Sequence, residues 1–163
     1  KFHLAVFSVT AIILLVIVIM AIGKVGNDST PDAIVKFEVP ANTVQINCEV
    51  ADDYLERQHG LMGVESMSQD EGMLFIFEEA NTVSFWMKDT LIPLDIIFIN
   101  ESGYIVNIEE AYPEPGVPDG QLTRYESERP VLWVVEINQG VCAQEGIVPG
   151  TYVELVQTQV PCC

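Results

Sequence analysis

Cations are scarce in this 163-residue chain, where 7 Lys and Arg stand against 24 Asp and Glu and the formal charge is −17. Nucleic-acid phosphates are gripped by clustered Lys and Arg, so this balance excludes a nucleic-acid partner. It equally opposes docking on an anionic membrane face. Histidine is rarer still, and His59 is the only one outside the N-terminal apolar run. One His with scattered acids falls short of a zinc site, so neither a metal nor a cofactor is expected. Also missing are a G-x-S-x-G elbow, a Gly-rich phosphate loop and a Cys–His–Asn partnership. A solvated acidic surface is the plain reading of the excess charge.

Long apolar runs are absent with one exception. Phe2 to Ile22 is apolar but for His3, Ser8 and Thr10. About 20 residues cross a hydrocarbon core as a helix, whereas the apolar part of a cleaved signal peptide runs roughly 7–15. The run is therefore expected to be a retained membrane anchor over residues 2–22, with a removed signal peptide as the alternative. Residues 1–23 form the hydrophobic helix, 24–33 a Gly/Asn/Asp/Ser/Thr/Pro linker, and 34–163 a β-domain on the extracytoplasmic side.

Cysteine is also sparse, with Cys48, Cys142, Cys162 and Cys163 in no zinc-like spacing. After a membrane span, four Cys read as disulfides in an oxidising compartment. A bond between adjacent Cys162 and Cys163 is geometrically awkward, so Cys48 and Cys142 are each expected to bridge to one of the terminal pair. Reduced, buried thiols are the other reading. Sequons at Asn27 and Asn100 are glycosylation candidates consistent with an exterior domain.

What is present is mostly strand pattern. Residues 34–39 and 43–50 alternate, the second with Val44, Ile46, Cys48 and Val50 on one face. Asp52 or Asp53 can cap a short helix through Gln58 that Gly60 ends, with Tyr54, Leu55, Leu61 and Met62 suited to docking on a sheet. Residues 63–72 read as a polar loop and 73–77 as an apolar run. Residues 82–88 alternate, with Val83, Phe85 and Met87 opposite Ser84, Trp86 and Lys88. Residues 94–99 are apolar on both faces except Asp95, the mark of a strand buried on both sides. A four-residue hairpin loop, Asn100 to Gly103, leads into a return at 104–108. A Pro-containing loop, 109–120, precedes strands at 130–138 and 152–156, with a helical turn at 139–145 between them. The expected fold is all-β, a barrel or sandwich with one or two short helices, preceded by the N-terminal transmembrane helix. A parallel sheet would need more helices than the sequence offers.

The runs ERQHGLMG (56–63), GMLFIF (72–77), FWMKDTLIPLDIIFIN (85–100), YESERPVLWVVEINQG (125–140) and GIVPGTYVEL (146–155) occur in an order that resembles the domain of unknown function 192 family, the uncharacterised ACR family. The resemblance spans about residues 42–156. It implies a compact β-rich domain, often carried behind a signal peptide or anchor in bacteria and archaea, and it brings no established reaction. Where that family commonly has Asn in WMKNT, this chain has Asp89.

Polar residues in apolar surroundings mark the candidate cluster: Glu56, Arg57, Trp86, Lys88, Asp89 and Asp95. A carboxylate–ammonium pair beside an aromatic platform can hold a polar ligand or move protons. The structural alternative makes Asp89–Thr90 and Pro93 a turn and gives Asp95, as a half-buried charge, a partner in Lys88 or Arg57. His59, next to Arg57 and Gln58, is either a base or a solvated helix end. The leading expectation is a non-enzymatic, membrane-tethered domain at the cell surface that binds a ligand or a protein. Two alternatives are a subunit of an archaeal pilus-like filament, self-assembled through the N-terminal helix, and an enzyme of unrecognised type in which Lys88, Asp95 and Arg57 face a shared void.

Overall fold

The computed structural model describes residues 30–157. The expected anchor at 2–22, the sequon at Asn27, and Cys162 and Cys163 lie outside that range. Among the described residues no helix is long and apolar enough to cross a membrane. The chain divides into two units between Thr30 and Pro31, and every element below belongs to the second.

Alternation becomes strand at 34–39 and 43–50, whereas the alternating stretch 82–88 is strand only at Ser84–Phe85. Strands β1 (Ala33–Val39) and β2 (Asn42–Ala51) form an antiparallel hairpin with Val35 opposite Ile46 and Phe37 opposite Val44. Their inward residues, Val35, Phe37, Ile46 and Cys48, are all but fully buried, because successive side chains leave a strand on opposite faces. Helix α1 (Tyr54–His59) follows, then β3 (Glu71–Asn81), β4 (Ser84–Phe85), β5 (Leu94–Ile99), β6 (Ile105–Ala111), a 3-10 turn at Asp119–Gln121, β7 (Tyr125–Glu126), β8 (Val131–Asn138), α2 (Val141–Glu145) and β9 (Tyr152–Gln157). Seven strands make one sheet in the order β6-β5-β8-β3-β2-β1-β9, and β4 pairs with β7 in a two-stranded ribbon. The domain is mostly β, a sheet curled into a half-barrel with two short helices.

The curl brings the outer strands together at one end. Val153 donates its N–H to the Gly103 carbonyl at 2.8 Å, and Ile105 donates to Thr151 at 3.0 Å. Gly103 sits at φ +81, and a Cβ there would stand 3.0 Å from both the Tyr152 ring and the Val153 carbonyl oxygen. Glycine is thus required on steric and conformational grounds. The Asn100 side chain closes the same hairpin by accepting from the N–H groups of Ser102 and Tyr104, each at 3.0 Å.

One pair departs from the antiparallel expectation. β2 and β3 run parallel, Asn47 opposite Glu71 and Ala51 opposite Phe75. Residues 52–70, which carry α1, form the crossover that a parallel pair requires. α1 begins with a capping box. Asp53 Oδ1 accepts from Leu55 and Glu56 N–H at 2.7 and 2.8 Å, and Glu56 Oε2 reaches back to Asp53 N–H at 3.3 Å. Such a cap contributes about 1 kcal/mol. The expected docking of Tyr54 and Leu55 does not occur, since they are 69% and 73% exposed. The helix is held by its caps and by Arg57 rather than by an apolar face.

The sheet has cores on both faces. Val35, Phe37, Leu74, Ile97, Ile99, Val135 and Ile137 fill the inside of the curl, closed by Val141, Cys142 and Ile147. Phe75, Met87, Leu94, Ile96, Phe98 and Val134 fill the outer face beneath Leu61 and the residues that follow β4. β5 is consequently buried along its whole length, yet it is antiparallel to both β6 and β8. Loops and ribbon, rather than crossover helices, supply its second cover.

One expectation is corrected here, and another falls partly outside the described residues. Cys48 and Cys142 are free, buried thiols among the described residues, and their expected partners Cys162 and Cys163 lie beyond them. Burial pushes the Cys48 thiol up to about 12. It also raises Cys142, with the charge and hydrogen bond of Asp95 adding to the effect. Neither is a thiolate at neutral pH, the form that disulfide exchange requires. Asp95 pairs with neither Lys88 nor Arg57. Its Oδ2 accepts from the N–H groups of Gly140 and Cys142 at 3.0 and 2.9 Å, tying the middle of the sheet to the start of α2. Asp95→Ala should therefore lower the unfolding free energy by about 2–3 kcal/mol, because two buried amides lose a charged acceptor. Lys88→Ala should stay within about 0.5 kcal/mol, as surface substitutions do. Urea melts of both variants test this, and equal losses would mean that Lys88 supports Asp95 after all.

Candidate functional site

The strongest chemical anomaly lies on the outer face of the sheet, in β8. Glu136 stands between Val135 and Ile137, with Met73 of β3 and Ile96 of β5 as its cross-strand neighbours. It is only 5% exposed. Its carboxyl makes no hydrogen bond or ion pair with any described residue, although buried carboxyls are ordinarily hydrogen-bonded or paired. Burial alone pushes its pKa from 4.5 up to about 8, so at neutral pH the carboxyl is largely protonated and can donate as well as accept a hydrogen bond.

Glu136 lies at the floor of a pocket of about 30 Å³. A water needs at least ~10–15 Å³, so the space admits a group of one or two polar atoms. The C-terminal end of α1 lines one side with Arg57, His59, Gly60 and Met62. Phe75 of β3 and Phe85 of β4 back it, and Trp86, Lys88 and Thr90 complete the rim. The aromatic backing is rigid, with Phe75 and Phe85 edge to face at 5.0 Å and Phe85 and Phe98 at 5.9 Å. The rim turn is pinned to the loop after α1 by the Met62–Thr90 bridge and by the Gly63 N–H donating to the Asp89 carbonyl at 2.9 Å. Asp89 holds φ +50 within that turn, a left-handed conformation that Asp and Asn adopt more readily than most residues.

Cations ring the aromatic platform. The Arg124 guanidinium sits 4.2 Å from the centre of the Trp86 ring, and Lys88 Nζ sits 5.6 Å from it. Lys88 also donates to Asp119 at 2.6 Å, and that bond pushes its pKa up. The Arg57 guanidinium donates to the carbonyls of Asp52 and Ile76 and lies 5.4 Å from the centre of the Phe77 ring. Neither Arg57 nor Arg124 has a carboxylate partner among the described residues.

Of the residues singled out from sequence, Arg57, Trp86 and Lys88 meet at this pocket. Asp89 lines the adjoining groove instead. Glu56 is committed to the helix cap, and Asp95 faces the opposite core. His59, weighed apart from the cluster, joins the rim. Glu136 and Arg124 were missed. Glu136 carried the signal that drew attention to Asp95, an acid inside an apolar strand (VLWVVEIN). Arg124 lies in a loop with no periodicity to mark it.

The pocket residues come from four of the ordered sequence runs: Arg57 to Met62, Phe75, Phe85 to Thr90, and Glu136. Residues 36–155 match the family described as uncharacterised ACR. The chain belongs to the domain of unknown function 192 family. A crystal structure from Sinorhizobium meliloti 1021, provisionally called a transcription regulator, superposes with TM-score 0.69 at 35% identity, covering 79% of this chain and 97% of that one. A protein of unknown function from Novosphingobium aromaticivorans DSM 12444 superposes with TM-score 0.70 at 32% identity, covering 80% and 90%. No curated protein matches the chain. In this member of the DUF192 family these runs thus build both the sheet and the pocket set into it.

The pocket carries a stability signature. Between about pH 4.5 and about pH 8 an unfolded Glu136 ionises while the folded one keeps its proton. The folded state therefore binds more protons there, and this group's contribution falls as pH rises through that window, levelling off above it. Glu136→Gln should match the wild type near pH 4.5 and exceed it above pH 8 by a margin on the order of a few kcal/mol. Urea unfolding across that range measures the difference, and a constant gap at every pH would show that the carboxyl is not held neutral by burial.

Proposed function

We propose that the domain is a binding module, and that its site is the pocket floored by Glu136 and walled by Trp86. The carrying observation is a carboxyl on a residue only 5% exposed, without a hydrogen-bond partner among the described residues, whose oxygens reach the surface through a space of about 30 Å³. Burial already strips much of the water from this carboxyl, so an arriving polar group can hydrogen-bond it with little further desolvation. The pocket shares Lys88 and Thr90 with a groove of about 370 Å³ lined by Met87, Leu91, Pro113, Pro115 and Leu122. A ligand puts its polar head on Glu136 and lays its less polar body along the Pro-containing loop. The apolar run at 2–22 and the linker behind it present this site on the extracytoplasmic side of a membrane, a placement that rests on sequence alone.

The enzyme reading needed Lys88, Asp95 and Arg57 around one void. Lys88 is held by Asp119, Arg57 by two carbonyls, and Asp95 by amides on the other face of the sheet. That set has no shared substrate position. The regulator name given to the S. meliloti protein is not carried over, because a charge of −17 repels DNA phosphates.

Two Trp residues, Trp86 and Trp133, make the reading easy to test. With 5-fluorotryptophan incorporated, fluorine NMR of the full chain in detergent gives one signal for each, assigned with Trp86→Phe. Small acids, amines, amides and sugars titrated as separate classes should include at least one that moves the Trp86 signal and leaves Trp133 in place. Failure of every class to do so would remove the binding site from this pocket.

A further inference from the structure

Taking the pocket as the binding site, we propose that the group it receives is a carboxylate, held by the carboxyl of Glu136 and the cationic rim of Arg57, Lys88 and Arg124. The distribution of charge carries this. Only five Lys and Arg lie within the described residues: Lys36, Arg57, Lys88, Arg124 and Arg129. Two of the five, Arg57 and Lys88, line one small pocket, and a third, Arg124, lies over the ring of Trp86 on its wall, in a chain of charge −17. Arg124 makes no hydrogen bond or ion pair with a described residue and only covers the Trp86 ring, so its donors are available to an incoming anion. Guanidinium groups suit planar carboxylates, which they can grip with two parallel hydrogen bonds.

Size decides between anions. A space of about 30 Å³ accepts the one or two oxygens of a carboxylate head, whereas a phosphate brings four oxygens and a larger charge. Glu136 then contributes the element that an ordinary glutamate could not. In its protonated form it donates a hydrogen bond to the anion, and in its ionised form it repels it. The charged and titratable groups facing it are Arg57 and His59 from α1 and Lys88 from the rim turn. β3 and β5 present Met73, Phe75 and Ile96, which do not titrate.

The test uses the full chain in detergent with the fluorotryptophan signals already described. The probes are acetate, glucuronate with glucose as its neutral counterpart, N-acetylglycine with N-acetylglycinamide, inorganic phosphate, and methylammonium. At least one carboxylate should shift the Trp86 signal while its neutral counterpart does not, and the pairs show whether a bare acid, a sugar acid or a peptide terminus is preferred. Arg124→Gln, which removes no contact within the fold beyond the Trp86 ring, should weaken that binding about tenfold, the worth of one charge-assisted hydrogen bond. Between about pH 7.5 and about pH 9.5, above the range in which histidine ordinarily titrates, the affinity should fall roughly 20-fold as a carboxyl of pKa about 8 ionises. In Glu136→Gln it should stay flat. Binding of methylammonium or a neutral probe in place of the acids would overturn the carboxylate and leave the pocket standing, and phosphate binding without any carboxylate would do the same. No shift from any probe would overturn both.

Discussion

Burial of the central strands on both faces is the constraint from which the rest follows. β3, β5 and β8 have a packed layer on each side, so an acid placed in them has little access to bulk water. It must collect hydrogen bonds or surrender its charge. Asp95 takes the first course and caps the start of α2 through two amides. Glu136 takes the second and holds a proton to about pH 8. The two residues lie on neighbouring strands, with side chains on opposite faces, and their different fates separate structure from site. The inner face has amides to offer because Gly140 begins a helix there. The outer face meets Glu136 with aromatic rings and the end of α1, and those leave a gap.

Much of this was legible in the sequence, for physical reasons that differ from element to element. The alternation in β1 and β2 fixes which residues point inward, and the packing agrees residue by residue through Phe37 and Cys48. Asp53, Glu56 and Gly60 bound a helix by local hydrogen bonding, so six residues sufficed to place it. The parallel pairing of β2 with β3 was not legible, because alternation does not say which neighbour a strand chooses. The two-residue strand β7 left no pattern to read. Tyr54 and Leu55 were misread because apolar spacing on a short helix does not reveal whether a sheet lies beneath it.

The site was half visible for a related reason. Arg57, Trp86 and Lys88 stood out as polar or aromatic residues in unusual company, and they do converge. Asp95 stood out equally and belongs elsewhere, since one extra position along β5 turns a side chain to the other core. Sequence shows that a strand carries a misplaced acid. It does not show which face has donors ready to meet it. Glu136 was passed over in an apolar strand, and its lack of a hydrogen-bond partner among the described residues gives the pocket its chemistry.

Charge then acts on two length scales. Exposed charges interact over about 8 Å at physiological salt, so beyond that distance the acidic surface exerts little pull or push on a small ion. Within it, most of this chain repels anions, and the neighbourhood of Trp86, with Arg57 and Lys88 lining the pocket and Arg124 over the ring, is the exception among the described residues. A cation finds many weakly favourable places on such a surface and is held at none in particular. A small carboxylate finds nearly all of the surface unfavourable, which is specificity achieved by repulsion elsewhere as much as by attraction at the site. The two cations stacked near Trp86 complete the effect, because an aromatic face holds Arg124 in place without neutralising it. Arg124 thereby differs from Lys88 and Lys36, which are paired with Asp119 at 2.6 Å and Glu154 at 2.9 Å, and it is the cation at the platform whose charge is uncommitted.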